Sequence, residues 1–151
     1  MSHFFQSEEY LQARFRANNR RLGYRAHSSE EHHLWRSELR GTLRQLLGID
    51  RLAPAPLNPR LTETVQRDGY RRERVEIDTE PGVTMPLYVL IPDGLQGAAP
   101  AVLAPHGHGS GGKLCPAGCV EVPGVAERIA QYNYDYGVQA VRRGYVVYCP
   151  D

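Results

Sequence analysis

The stretch Ala101-Val-Leu-Ala-Pro-His-Gly-His-Gly-Ser-Gly-Gly-Lys113 decides how the chain is read. A short apolar run, Ala101 to Ala104, stops at Pro105 and opens into a loop with four glycines, Gly107, Gly109, Gly111 and Gly112. This is how a buried strand hands over to backbone that must come close to a ligand, because glycine has no Cβ and tolerates positive φ. Two chemistries use such a loop. One is an oxyanion hole, where backbone N–H groups face an oxygen that becomes negative during reaction. The other is a cradle for phosphate.

On the C-terminal side, an irregular stretch runs to about Val125. Ala126 to Arg143 has helical tendency, weakened in its middle by Asn133 and Gly137, and Gly144 is a stop signal. Tyr145 to Cys149 is a second buried strand, which the chain leaves through Pro150-Asp151. Strand, helix, strand in this order implies a right-handed parallel crossover. The unbroken apolar character of Ala101–Ala104 predicts burial on both faces. On the N-terminal side the period is two. Val75, Ile77 and Thr79 alternate with Arg74, Glu76 and Asp78, as in a half-buried strand. Glu80-Pro81-Gly82 is a turn, and Val83 to Ile91 is a further strand, apolar on both faces after Pro86. A linkage this tight predicts an antiparallel hairpin. Pro86 suggests an outer part of the sheet.

Before this lies a helical region. Residues 7–22 read as a helix with Ser7 as N-cap, Glu8 and Glu9 in the first turn, and Leu11, Phe15 and Leu22 on one face; Gly23 offers a stop. Residues 28–47 read as a second helix, with Ser28 and Glu31 at capping-box spacing. Trp35, Leu39, Leu43, Leu46 and Leu47 form its apolar stripe, and Gly48 follows its end. That stripe reads as packed on its own domain or as a face through which two copies associate. Arg36, Arg40 and Arg44 read as a solvated face. Leu52 to Arg60 holds Pro54, Pro56 and Pro59, a linker. The expected organisation is therefore a helical arm and linker over 1–60 and an α/β domain over 61–151.

The 151 residues suffice for one domain with a real core, and 41% hydrophobic with 23% charged residues is ordinary for a soluble protein. A net charge of +1 gives no bulk field for nucleic acid or an anionic membrane. No apolar run approaches the roughly 20 residues of a membrane span, and Met1 to Glu9 has no secretory signal pattern. Cys115, Cys119 and Cys149 do not suggest a disulfide framework, which favours a reducing cytoplasm.

His106-Gly107-His108-Gly109 after one strand and Arg143-Gly144-Tyr145-Val146-Val147-Tyr148-Cys149-Pro150-Asp151 along the next resemble the N-terminal half of an α/β-hydrolase. The resemblance is to the branch of dienelactone hydrolases and acetyl-xylan-esterase-like proteins, and covers about residues 70–151. It implies an α/β fold: the first strands of a hydrolase sheet behind a helical arm. It also implies hydrolysis of a small carboxylic ester through an acyl-enzyme, without cofactor or metal. The backbone N–H of His108 is then an oxyanion donor, with Gly107 and Gly109 shaping the turn. His106 reads as a ring that holds the loop, since a general base needs an oriented nucleophile and none is visible. The family's nucleophile sits on a Gly-x-Ser-x-Gly elbow, which this sequence lacks. Ser110 lies in the oxyanion loop itself, with His108 and Gly112 at the flanking positions. Nucleophile, acid and histidine are thus expected beyond Asp151, and the chain is expected to be a truncated segment, inactive alone, whose last strand presents an open apolar edge.

Other readings of the loop remain. Gly107 to Lys113 satisfies Gly-x-x-x-x-Gly-Lys, although Leu114 stands where a Ser or Thr would meet Mg²⁺. His106, His108, Cys115 and Cys119 have residue types that bind zinc. An assembly module without catalysis is the third.

Overall fold

The computed structural model describes residues 6–18, 20–109 and 111–151. They fall into two compact units, Met1–Leu52 and Ala53–Asp151.

The first unit holds α1 (Ser7–Ala17), α2 (Ser29–Leu46) and a 3-10 turn at Ile49–Arg51. α1 is shorter than expected. Its N-cap is Gln6, which makes no side-chain cap bond, and Ser7 is already helical. Glu8 and Glu9 still complement the exposed N–H groups of the first turn. The helix ends five residues before Leu22, whose carbonyl instead accepts a 2.9 Å hydrogen bond from Trp35 Nε1. α2 matches its expected span. Glu31 N–H donates to Ser28 Oγ at 3.1 Å, and the Glu31 carboxylate accepts from His27 N–H at 2.7 Å. The return half of the capping box thus lands one residue before the cap.

The second unit is built on a five-stranded sheet in the order β1-β2-β3-β5-β4, with β1 (Arg60–Arg67), β2 (Tyr70–Glu80), β3 (Val83–Pro92), β4 (Ala101–Leu103) and β5 (Val146–Pro150). β2 and β3 form the predicted antiparallel hairpin. β1 is a strand the sequence reading passed over. It pairs antiparallel with β2 across a two-residue turn, Asp68-Gly69, with Arg67 opposite Tyr70. Pro86 does not mark an edge strand, because β3 lies between β2 and β5. The β3–β5 ladder covers only Leu87 to Leu90. Pro86 falls just outside it, so the missing N–H costs no bond of the β3–β5 ladder.

β4 and β5 pair in parallel, Ala101 with Val146 and Leu103 with Tyr148. Two expectations fail here. The crossover carries β5 inward, so β5 is flanked on both sides and presents no open edge, and β4 is an edge strand of the described sheet. Leu103 is 68% exposed rather than buried, and its partner Tyr148 on the flanked strand β5 is 40% exposed, so this face of the sheet is open among the described residues, while Val147 and Cys149 on the other face are fully buried. The crossover carries two helices instead of one, α3 (Val125–Tyr132) and α4 (Tyr136–Val141), broken at Asn133 with φ 55°. α4 lies on β3 and β5. Gly137 permits that approach, since a Cβ there would stand 2.4 Å from Pro116 O and 3.1 Å from Cys149 Sγ. Tyr88, Leu90, Val138, Val141, Val147 and Cys149 make the heart of the core.

The segment between the loop and α3 is tied to the sheet by a buried charge. Arg72 is 2% exposed, donates to Gly118 O at 3.1 Å, pairs with Glu121, and stacks 5.2 Å from the Tyr88 ring centroid. Arg67 donates to the other oxygen of Glu121 at 2.6 Å. Burial pushes the Glu121 carboxyl up, but the hydrogen bonds from Arg72 and from its own backbone N–H, with the charges of Arg72 and Arg67, together bring it below its ordinary value.

Candidate active site

β4 and β5 are adjacent and parallel, so their carboxyl ends open on the same side of the sheet. In open α/β sheets this is where ligands bind. The glycine loop leaves β4 at that end, and Asp151 leaves β5 there. The loop starts from a fixed point: Ala104 is buried, and its N–H donates to Tyr148 O at 2.8 Å. Gly109, Gly111 and Gly112 have φ of 78°, 77° and 65°, a region side-chain-bearing residues avoid.

Among the described residues, five side chains act at the loop, His106 and Lys113 from within it and Arg128, Tyr136 and Asp151 from outside it. His106 Nδ1–H donates to Gly107 O at 3.2 Å, and its Nε2 lies 3.8 Å from Asp151 Oδ1. The same carboxylate pairs with Lys113 Nζ. Tyr136 O–H donates to Pro105 O at 2.6 Å. Burial first, then the nearby thiols of Cys149 and Cys115, push the Tyr136 hydroxyl pKa up, so it stays a donor at neutral pH. Arg128 donates to Gly109 O. Of the residues singled out in the sequence, His106 is half-buried, while Gly107, His108 and Gly109 are exposed. Ser110 lies outside the described residues. Arg128, Tyr136 and Asp151 were not identified as loop partners by sequence reasoning. Only the Asp151 position carried any signal, as the end of the motif along β5.

The rival readings fare differently. After Gly111 the chain makes a short 3-10 turn, Gly112–Leu114, and irregular backbone up to α3, so among the described residues no α-helix opens directly out of the loop, as it does in a P-loop. Lys113, which would reach a phosphate, is engaged by Asp151. Among the described residues, no three His, Cys, Asp or Glu side chains gather as metal ligands. Cys115 and Cys119 are fully buried, away from such a role. All three thiols are buried. Burial pushes all three up, Cys149 to about 12, whereas a reactive thiolate needs a lowered pKa. A separate groove of about 730 Å³ beside α1, lined by Leu11, Phe15 and Arg16 among others, is mainly apolar and offers no nucleophile with a base.

Residues 9–147 match the Abhydrolase family. The chain belongs to that family. Among solved structures, this Abhydrolase chain is similar to a Bacteroides fragilis NCTC 9343 protein named as a candidate acetyl xylan esterase. That match has a TM-score of 0.74 and 25% identity, over 99% of this chain and 38% of the other. It is also similar in fold to a methylesterase, with a TM-score of 0.60 and 24% identity, over 83% of this chain and 25% of that one. No curated protein matches. The Abhydrolase chain thus spans well under half the length of either structural relative, and it carries the expected α/β-hydrolase architecture. Among the described residues, no helix is long and apolar enough to cross a membrane.

Proposed function

We propose that this segment supplies the oxyanion-hole loop of a serine-type hydrolase acting on small carboxylic esters. The backbone N–H of His108 stabilises the tetrahedral oxyanion, Gly107 and Gly109 set the turn, and His106 braces the loop through Gly107 O. The attacking serine, its histidine and the acid come from the remainder of the longer protein, which forms and hydrolyses the acyl-enzyme. The observation that carries this reading is the position of the glycine loop at the shared carboxyl end of β4 and β5. Family membership and the esterase name of the Bacteroides fragilis relative support the reaction class. No cofactor is needed. The free, buried cysteines fit a reducing compartment such as the cytoplasm.

The test separates backbone from side chain. In the longer protein, His108→Ala keeps the amide and should leave p-nitrophenyl acetate hydrolysis near wild type. His108→Pro removes the N–H and should lower kcat roughly 100- to 1000-fold, as loss of one oxyanion donor does. Equal losses in both variants at unchanged melting temperature would refute the backbone role. The 151 residues alone are expected to show no turnover. Hydrolysis above that of a Ser110→Ala control would overturn the assignment of the nucleophile elsewhere.

A further inference from the structure

Backbone amides stabilise a transition state only when their directions are fixed beforehand. The loop cannot fix itself. It contains Gly109, Gly111 and Gly112, and glycine backbone loses the most freedom when held in one conformation. Tyr136 grips its first residue through Pro105 O, and the Lys113–Asp151 pair grips its last. Arg128 of α3 reaches the middle, by its bond to Gly109 O, the carbonyl directly after His108. Its stem runs along the loop as well, since a Cβ placed on Gly111 would lie 3.9 Å from Arg128 Cδ. Among the described residues, no carboxylate pairs with this guanidinium. It lies beside the loop where a negative oxygen would form.

We propose that Arg128 is a positioning residue of the oxyanion loop. Its guanidinium holds the Gly109 carbonyl, restricts rotation next to the His108 amide, and adds positive potential at that point. This rests on the oxyanion reading above. A guanidinium suits the task because a charge-assisted bond to a carbonyl is stronger than a neutral one. The helix on which it sits gives the rigid base that a glycine loop lacks.

The full-length protein, Arg128→Met and Arg128→Lys are to be compared by p-nitrophenyl acetate kinetics, melting temperature, and amide hydrogen exchange over residues 107–112. Arg128→Met should lower kcat roughly 10- to 100-fold with KM almost unchanged, as misplacement of a catalytic group does. It should speed loop exchange about tenfold without moving the melting temperature. Arg128→Lys, which keeps the charge, should recover most of kcat. Unchanged kcat and exchange would overturn the proposal, and so would a rise in KM alone, which would make Arg128 a substrate contact. If Arg128→Met fails to fold, Arg128→Gln supplies the same comparison. If the wild type shows no turnover, the esterase reading falls, while loop exchange still decides whether Arg128 holds the loop.

Discussion

Leu46, near the end of α2, is 77% exposed, whereas Leu90, in the middle of β3, is fully buried. The contrast holds across the two units. Neither α1 nor α2 contains a buried residue, and every residue of the buried hydrophobic core lies at Tyr70 or later. Both units have clean sequence patterns: a leucine stripe at helical spacing in one, alternation and apolar runs in the other. Pattern therefore specifies which face an element would bury, and not whether anything covers it. α2 is held by local devices, chiefly the Ser28–Glu31 cap and the edge-on contact of Tyr24 with Trp35 at 4.8 Å between centroids. The sheet is held by residues far apart in the chain.

The largest effect expected from this contrast comes from one chemical change made in both places. Leu90→Ala should cost about 2–5 kcal/mol, the transfer term plus the cavity it leaves. Leu46→Ala should stay within about 0.5 kcal/mol, since little apolar surface leaves water there. Urea denaturation of both variants measures the difference. A Leu46→Ala cost comparable to Leu90→Ala would show that something covers α2 in solution and would break the contrast.

What could be read in advance divides along the same line. The glycine loop, the hairpin and α2 were legible because each is a continuous segment with its own period or turn signal, and the parallel strand pair followed from the order strand, helix, strand. β1 was missed because Arg60-Leu-Thr-Glu-Thr-Val-Gln-Arg67 is mostly polar, as suits an outer strand with every residue up to Thr64 exposed. The signal that would have found it was Asp68-Gly69, a favoured two-residue hairpin turn. The burial expected for β4 failed because whether a sheet face is covered is not a local property: Leu103 and its partner Tyr148 lie together on an exposed face. The loop's partners were hidden for the same reason. Arg128 and Gly109 are 19 positions apart, Lys113 and Asp151 are 38 apart, and no period links them.

A second test sharpens the contrast using charge in place of apolar area. Glu121 is the shared partner of Arg67 and of the buried Arg72. Glu121→Ala leaves Arg72 with only Gly118 O and the Tyr88 ring. Breaking a fully buried pair costs about 3–5 kcal/mol. Glu121 is 47% exposed, so water replaces part of what is lost, and about 1–3 kcal/mol is expected. In the first unit, Asp50→Ala breaks the Arg44–Asp50 pair, whose side chains are 55% and 61% exposed, and should cost at most about 0.5 kcal/mol. Equal melting-temperature losses in the two variants would mean that burial does not set the strength of these pairs.

The smallest effect concerns the point where the second unit's chain enters its sheet. Asp78 accepts from Arg60 at 2.9 Å, Asn58 at 3.0 Å and Thr84 at 3.2 Å, and its own N–H donates to Leu57 O at 2.8 Å. The Arg60 hydrogen bond foremost, then that of Asn58, lower its carboxyl pKa from 3.8 to about 2. A folded-state pKa below the unfolded one means that stabilisation is fully present above about pH 4 and is lost as pH falls towards 2. Asp78→Asn should therefore melt slightly lower than wild type at pH 5–7, and the gap should close on acidification through that range. Because the contacts are at the surface, the variant should also free the backbone of residues 57–61 to exchange without loosening β3. A gap that stays constant down to pH 2 would show that the amide's altered hydrogen bonding, and not the lost charge, weakens this junction. Faster exchange throughout β3 would instead show that the junction and the core unfold as one cooperative unit, since the two regions would then share a single opening reaction.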